Sequence, residues 1–125
     1  MATHGSKASD ETSLRRALER ALEEDRIFEL RDLVLKVGLE SSDRMWAEVS
    51  CVNLARHRNA LVKGDALAAL GHLARRFGQL DRRRVQRIVE NALHAHHEYV
   101  RAQATLAADD LETYLAWTLD RPGRA

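Results

Sequence analysis

Leu61-Val62-Lys63-Gly64-Asp65-Ala66 and Tyr99-Val100-Arg101-Ala102-Gln103-Ala104 decide how this chain is read. The two stretches lie 38 residues apart and share one order: valine, basic residue, small residue, polar residue, alanine. Each follows an apolar segment ending in Leu54-Ala55 or Leu93-His94, and each follows a histidine-bearing turn, His57 in one case and His96-His97 in the other. Around them apolar residues recur at the three- and four-residue spacing of helices, with almost no alternation of the strand kind. The single proline, Pro122, leaves the interior free of helix breakers.

Working outward, six helices are expected. Leu14, Ala17, Leu18, Ala21 and Leu22 line the first, capped by Thr12 or Ser13. Ile27, Leu30, Val34 and Val37 line the second, which ends at Gly38, although this run is apolar enough for a strand. Ser41, Ser42 and Asp43 offer caps to a third, with Met45, Val49 and Val52 inward. Asn59 caps a fourth that buries Val62, Ala66, Ala69, Leu70, Leu73 and Phe77 and stops at Gly78. Asp81 caps a fifth carrying Val85, Ile88, Val89, Ala92 and Leu93. The sixth starts near Glu98, uses Val100, Ala104, Ala107, Leu111 and Leu115, and stops before Arg121-Pro122-Gly123. Gly64 and Gly71 share one face of the fourth helix, where a close neighbour is expected, because each glycine costs a helix interior about 1 kcal/mol.

A period near ~40 built from helix pairs is the signature of HEAT or armadillo stacking. The expected fold is therefore all-α, a HEAT/armadillo-like α-solenoid of about six helices in three antiparallel pairs. In that arrangement the repeated valine plugs the core between units, the small residue and alanine admit a neighbouring helix, and the basic residue pairs with an acid next door. One domain over residues 13–120 is expected, between a disordered segment 1–12 and a tail 121–125. The 125 residues suffice for one core without staples, and the single cysteine, Cys51, forbids an internal disulfide. Residues 1–13 are polar, without the apolar region of a secretory signal, and no apolar run approaches a membrane span. A soluble cytoplasmic protein with no membrane contact is expected. Arginine far outnumbers lysine and alanine is abundant, a compositional trait of GC-rich bacterial genes.

The block Val62-Lys63-Gly64-Asp65-Ala66, followed by Gly71-His72-Leu73-Ala74-Arg75-Arg76-Phe77-Gly78, resembles a family of small bacterial HEAT-like repeat proteins. Glu98-Tyr99-Val100-Arg101-Ala102-Gln103-Ala104 and Ala107-Ala108-Asp109-Asp110-Leu111-Glu112 extend the resemblance, which runs from about Trp46 to Trp117. Lys63 stands where the family pattern usually has arginine, and His94–His97 replaces an Asp-Pro-type turn. The resemblance implies an immunity protein of a bacterial toxin–immunity pair, as in contact-dependent growth inhibition. Such a protein neutralises a cognate toxin domain, expected to be a nuclease, in a 1:1 complex and without a cofactor. It assigns no interface residue.

The near-zero net charge, +1, excludes a uniformly basic coat and an acidic tail. It conceals patches. Arg75, Arg76, Arg82, Arg83, Arg84 and Arg87 crowd the end of the fourth helix and the start of the fifth. They suit phosphate contact, one alternative function beside that of a general protein-interaction scaffold, but no aromatic residue is interleaved for base stacking. Asp109, Asp110 and Glu112 on the sixth helix suit the basic cleft of a nucleic-acid-cutting toxin, as phosphate mimics. Pairing of an aspartate here with Arg75 or Arg101 is the bland reading, and Glu23, Glu24 and Asp25 form a rival acidic patch. Trp46, Trp117 and Tyr114 are candidate aromatic anchors of the interface. His94 and His97 lack a third ligand at zinc spacing, so no metal site is expected. Cys51 with His72 is the nearest approach to a nucleophile and base, but Cys51 sits inside a helical pattern, and phosphate loops and serine elbows are missing. No enzyme activity is expected.

Overall fold

A computed structural model describes residues 6–123 as six helices, with no strand among the described residues. These are α1 (Ser6–Glu23), α2 (Ile27–Glu40), α3 (Arg44–Leu54), α4 (Ala60–Phe77), α5 (Arg82–Ala92) and α6 (Glu98–Leu115). The strand alternative for the run after Ile27 is removed, since that run is α2. The 38-residue spacing read from six residues extends to the whole of α3–α4 and α5–α6. Their first residues, their last residues and their caps all transpose by that one number.

Local chemistry sets these boundaries. Asp43 accepts from the Trp46 N–H, and its counterpart Asp81 accepts from the Arg84 N–H. Asn59 accepts from the N–H groups of Leu61 and Val62, while His97 does the same work for α6 through Nδ1 and the Tyr99 N–H. Gly78 ends α4 in the left-handed region at φ 66°, and Ala116 ends α6 in that region at φ 57° without glycine's freedom.

The core gathers around α4, which packs broadly against α6 and α2 and receives α3 on another side. In turn α1 leans on α2, and α5 on α6. Val62, Ala66, Ala69, Leu70 and Leu73 of α4 are all buried, as are Leu30, Val34 and Val37 of α2 and Val100, Ala104, Ala107 and Leu111 of α6. Three small residues set the spacing. A β-carbon on Gly38 would come within 2.9 Å of the Ala69 side chain, one on Gly64 within 2.6 Å of the Tyr99 ring, and one on Gly71 within 2.6 Å of the Asp110 carboxylate. The close neighbour expected at Gly64 and Gly71 is α6. Gly38, expected as a stop, is instead the point where α2 meets α4, and α2 continues to Glu40.

Several expectations are corrected. α1 begins at Ser6, ahead of Thr12 and Ser13, so residues 6–12 are helical; residues 1–5 lie outside the described residues. Glu11 explains part of this early start, since it accepts from the Ser41 hydroxyl at 2.7 Å and the Ser42 N–H at 3.0 Å. Met45 and Val49 point outward, Met45 being 62% exposed, and Leu22 is exposed as well. The inward stripe of α3 is Ala47, Glu48, Cys51, Val52 and Leu54, because the small Ala47 and Cys51 let α3 approach closely and Glu48 is neutralised in place. The repeated basic residue meets no acid: Lys63 has no side-chain partner among the described residues, and Arg101 donates to the carbonyls of Ala95 and His96. Ala102 is exposed and admits no helix. Finally, α6 stops at Leu115, and the chain after it turns back to bury Leu119 and to pair Arg121 with Asp109 and Glu112. Arg121, expected in the tail, thus packs on α6, while residues 124–125 lie outside the described residues.

Candidate functional site

The helical spacing that buries one side of α2 puts Phe28, Arg31, Asp32 and Leu35 together on another. On α4 the matching set is Asp65, Ala68 and His72, and on α6 Tyr99 and Gln103. These nine residues line one groove of about 560 Å³ across three helices. Its floor is polar and already satisfied. Asp65 accepts from Arg31 Nε at 2.6 Å and, through its other oxygen, from the Tyr99 hydroxyl, so one carboxylate ties α2, α4 and α6 together. The Arg31 guanidinium also lies 5.8 Å from the centre of the Tyr99 ring. Burial and the Asp65 bond both raise the Tyr99 hydroxyl above its ordinary range, which keeps it a donor. Gly64 is what lets that ring lie against α4.

The groove's rim on α2 is made by two apolar side chains, Phe28 and Leu35, with the exposed Asp32 between them. Phe28 is 80% exposed, the most exposed large hydrophobic side chain among the described residues, and Leu35 stands two turns further along. At the other end His72 faces Arg75 and Asp110; burial and the Arg75 charge lower its pKa, against a smaller opposing effect of Asp110, so the imidazole is largely neutral near neutral pH.

The sequence-derived interface residues fall differently. Asp110 pairs with Arg75 at 3.1 Å with its side chain only 18% exposed, and Glu112 pairs with Arg121 at 2.8 Å. Asp109 also reaches Arg121, at 2.8 Å, but keeps its side chain 59% exposed. The bland pairing with Arg75 thus holds for Asp110, and Arg101 takes no part. Tyr114 is exposed beneath Arg75, while Trp46 and Trp117 are half-buried under Arg15 and Arg82. The arginine segment also divides. Arg75 is held by Asp110, Arg76 donates to the carbonyls of Gly38 and Ser41, Arg82 covers Trp117, and Arg84 reaches Glu48. Arg83 and Arg87 have no such partner among the described side chains and line a separate groove.

Sequence reasoning missed Phe28, Leu35, Arg31, Asp65 and Tyr99 as one set. The only available signal was their helical spacing on faces left over once the core stripes were assigned. It also missed Glu48, fully buried and held by Arg44 at 2.8 Å, by Arg84 at 3.2 Å and by the Asp81 N–H at 3.0 Å. That carboxylate fastens α3 to the start of α5. Cys51 is buried beside it, which pushes its thiol well above the ordinary range and removes it as a nucleophile. His72, its supposed partner, faces the groove instead. No three His, Cys, Asp or Glu side chains converge to hold an ion among the described residues. No helix among them is long and apolar enough to cross a membrane.

Comparison with known proteins finds no matching family model, no similar curated protein and no similar solved structure.

Proposed function

We propose that this chain is a binding protein of the immunity type, a HEAT-like stack that covers a cognate toxin domain through the face made by α2, α4 and α6. The observation that carries the reading is Phe28, exposed on the rim of a groove whose polar floor is already internally bonded. An aromatic side chain held out beside satisfied polar groups can enter a partner's pocket without leaving a carboxylate or guanidinium stripped of its hydrogen bonds. The resemblance of the Val62–Gly78 and Glu98–Glu112 blocks to the immunity family supports the same class. Those blocks supply Asp65, Ala68, His72, Tyr99 and Gln103 to this groove.

The intramolecular pairing of Asp110 and Glu112 favours steric occlusion over phosphate mimicry. Both carboxylates already neutralise arginines of their own chain, and only Asp109 offers substantial free surface. The test is neutralisation of a toxin domain encoded beside this gene. Cells expressing both should grow, and cells expressing the toxin with Phe28→Asp should not. The variant should match the parent in thermal unfolding, since Phe28 contributes little to the core. A central aromatic anchor is worth about 2 kcal/mol or more, so binding should weaken about thirtyfold or further. Absence of any neighbouring toxin gene, with no protection by the parent chain, would sink the proposal.

A further inference from the structure

Most arginines of the described chain are occupied by a carboxylate, a carbonyl or an aromatic ring. Arg56, Lys63, Arg83 and Arg87 are not, and all four line one groove of about 490 Å³ formed by the end of α3, the first turn of α4 and the flank of α5. Outside it, only Arg16, Arg20 and Lys36 are equally unengaged among the described basic side chains. Arg84 adds a fifth positive group, anchored from behind by Glu48, and no Asp or Glu lines the groove. Arg83 and Arg87 stand one turn apart on one face of α5. Mutual repulsion among these groups is offset by no carboxylate of the groove lining, so the site is electrostatically incomplete.

We infer that this groove binds the phosphodiester backbone of a nucleic-acid duplex. Guanidinium groups present planar forks that fit phosphate oxygens. Charges from three separate elements match a ligand whose negative groups recur along its length, which a single small anion does not offer. An acidic peptide fits less well, because the remaining lining is Ile88, Asn91 and alanines, with no pocket for an anchoring side chain. The lack of any aromatic lining also disfavours an unpaired strand, whose bases need stacking platforms. The groove uses different residues from the Phe28 face, so this binding and the toxin-occluding role stand or fall separately.

The test is fluorescence anisotropy of the full chain with two labelled duplexes of one sequence, one DNA and one RNA, over a range of salt. Binding to either should weaken about a hundredfold between about 50 and 200 mM salt if four phosphates are neutralised. The ratio of the two affinities then tells which duplex is preferred. Arg83→Gln with Arg87→Gln should lose roughly half of that salt dependence while keeping the parent's thermal unfolding, because neither side chain has an internal partner. Arg16→Gln with Arg20→Gln, away from the groove, should behave as the parent. No binding to either duplex at the lower salt overturns the inference. So does binding that is indifferent to salt or to the α5 pair, and so does tighter binding of poly-glutamate than of both duplexes.

Discussion

His72 occupies a position where protonation is disfavoured, by burial first and by the Arg75 charge second, with Asp110 only partly compensating. Its folded pKa lies below the ordinary 6.5, so the unfolded chain takes up the proton first as the pH falls. The stabilising contribution is therefore complete above 6.5 and is lost as the pH falls through the folded value. His72→Asn should flatten the decline in thermal midpoint between about pH 7 and about pH 5, relative to the parent. A parallel decline in both proteins would remove His72 from the acid response. At this scale the sequence was legible where residues act on their immediate neighbours. Asp43, Asn59 and Asp81 were readable as caps because a cap needs only the next three residues. Glu48 was not, because a charged residue is assigned to the surface unless its partners are known, and Arg84 and the Asp81 N–H lie far along the chain. The acids on α6 were legible as a cluster but not as occupied, since Arg121 comes back to them from beyond the helix end.

Helices here approach one another through the places where side chains are missing. At Gly38 a methyl group would press on the Ala69 side chain and on backbone atoms of α4, which have nowhere to move. At Gly64 it would meet a Tyr99 ring pinned by Asp65, and at Gly71 mainly a carboxylate oxygen, with the Ala107 α-carbon at 3.3 Å behind it. Alanine gains about 1 kcal/mol in a helix interior over glycine, whereas overpacking a tight core costs about 1–3 kcal/mol. Urea unfolding should therefore rank Gly38→Ala as the most damaging, Gly64→Ala next and Gly71→Ala nearest to the parent. Stabilisation by Gly38→Ala would mean that α2 and α4 are not in the contact described. The element boundaries from α2 onward were readable to within a few residues, apart from the end of α6, but the orientation of α3 was not. Met45 and Val49 carry more hydrophobic area than Ala47 and Cys51, yet the smaller pair faces inward. Periodicity weights residues by hydrophobicity, and a closely packed helix can select for small size instead.

Across the whole molecule, the stretch after α6 does the work that a further helix would otherwise do. Leu119 is buried, its N–H lies 3.4 Å from Glu112, the Asp120 N–H donates to Glu90 at 2.8 Å, and Arg121 clamps two acids of α6. Leu119→Ala should cost about 2–5 kcal/mol in equilibrium unfolding, as for other buried leucines, while the exposed Thr118→Ala should change it little. A mild effect at Leu119 would mean that the stretch after α6 does not pack on the core as described. The 38-residue period was visible from six residues because both units keep the valine and alanine that the core requires at matched depths. The functional faces were far less visible. Net charge, and even charge by segment, counts arginines without saying which are spent. Only their partners separate Arg75, Arg76 and Arg84 from Arg83 and Arg87.

The burial of Cys51 also has a practical side. The chain's single thiol is enclosed and held in its unreactive protonated form. A cysteine placed on the surface would thus be the one site open to a maleimide dye. Introduced as Leu35→Cys beside the α2–α4–α6 groove, or as Asn91→Cys beside the basic one, it would give each face its own optical reporter without first removing Cys51.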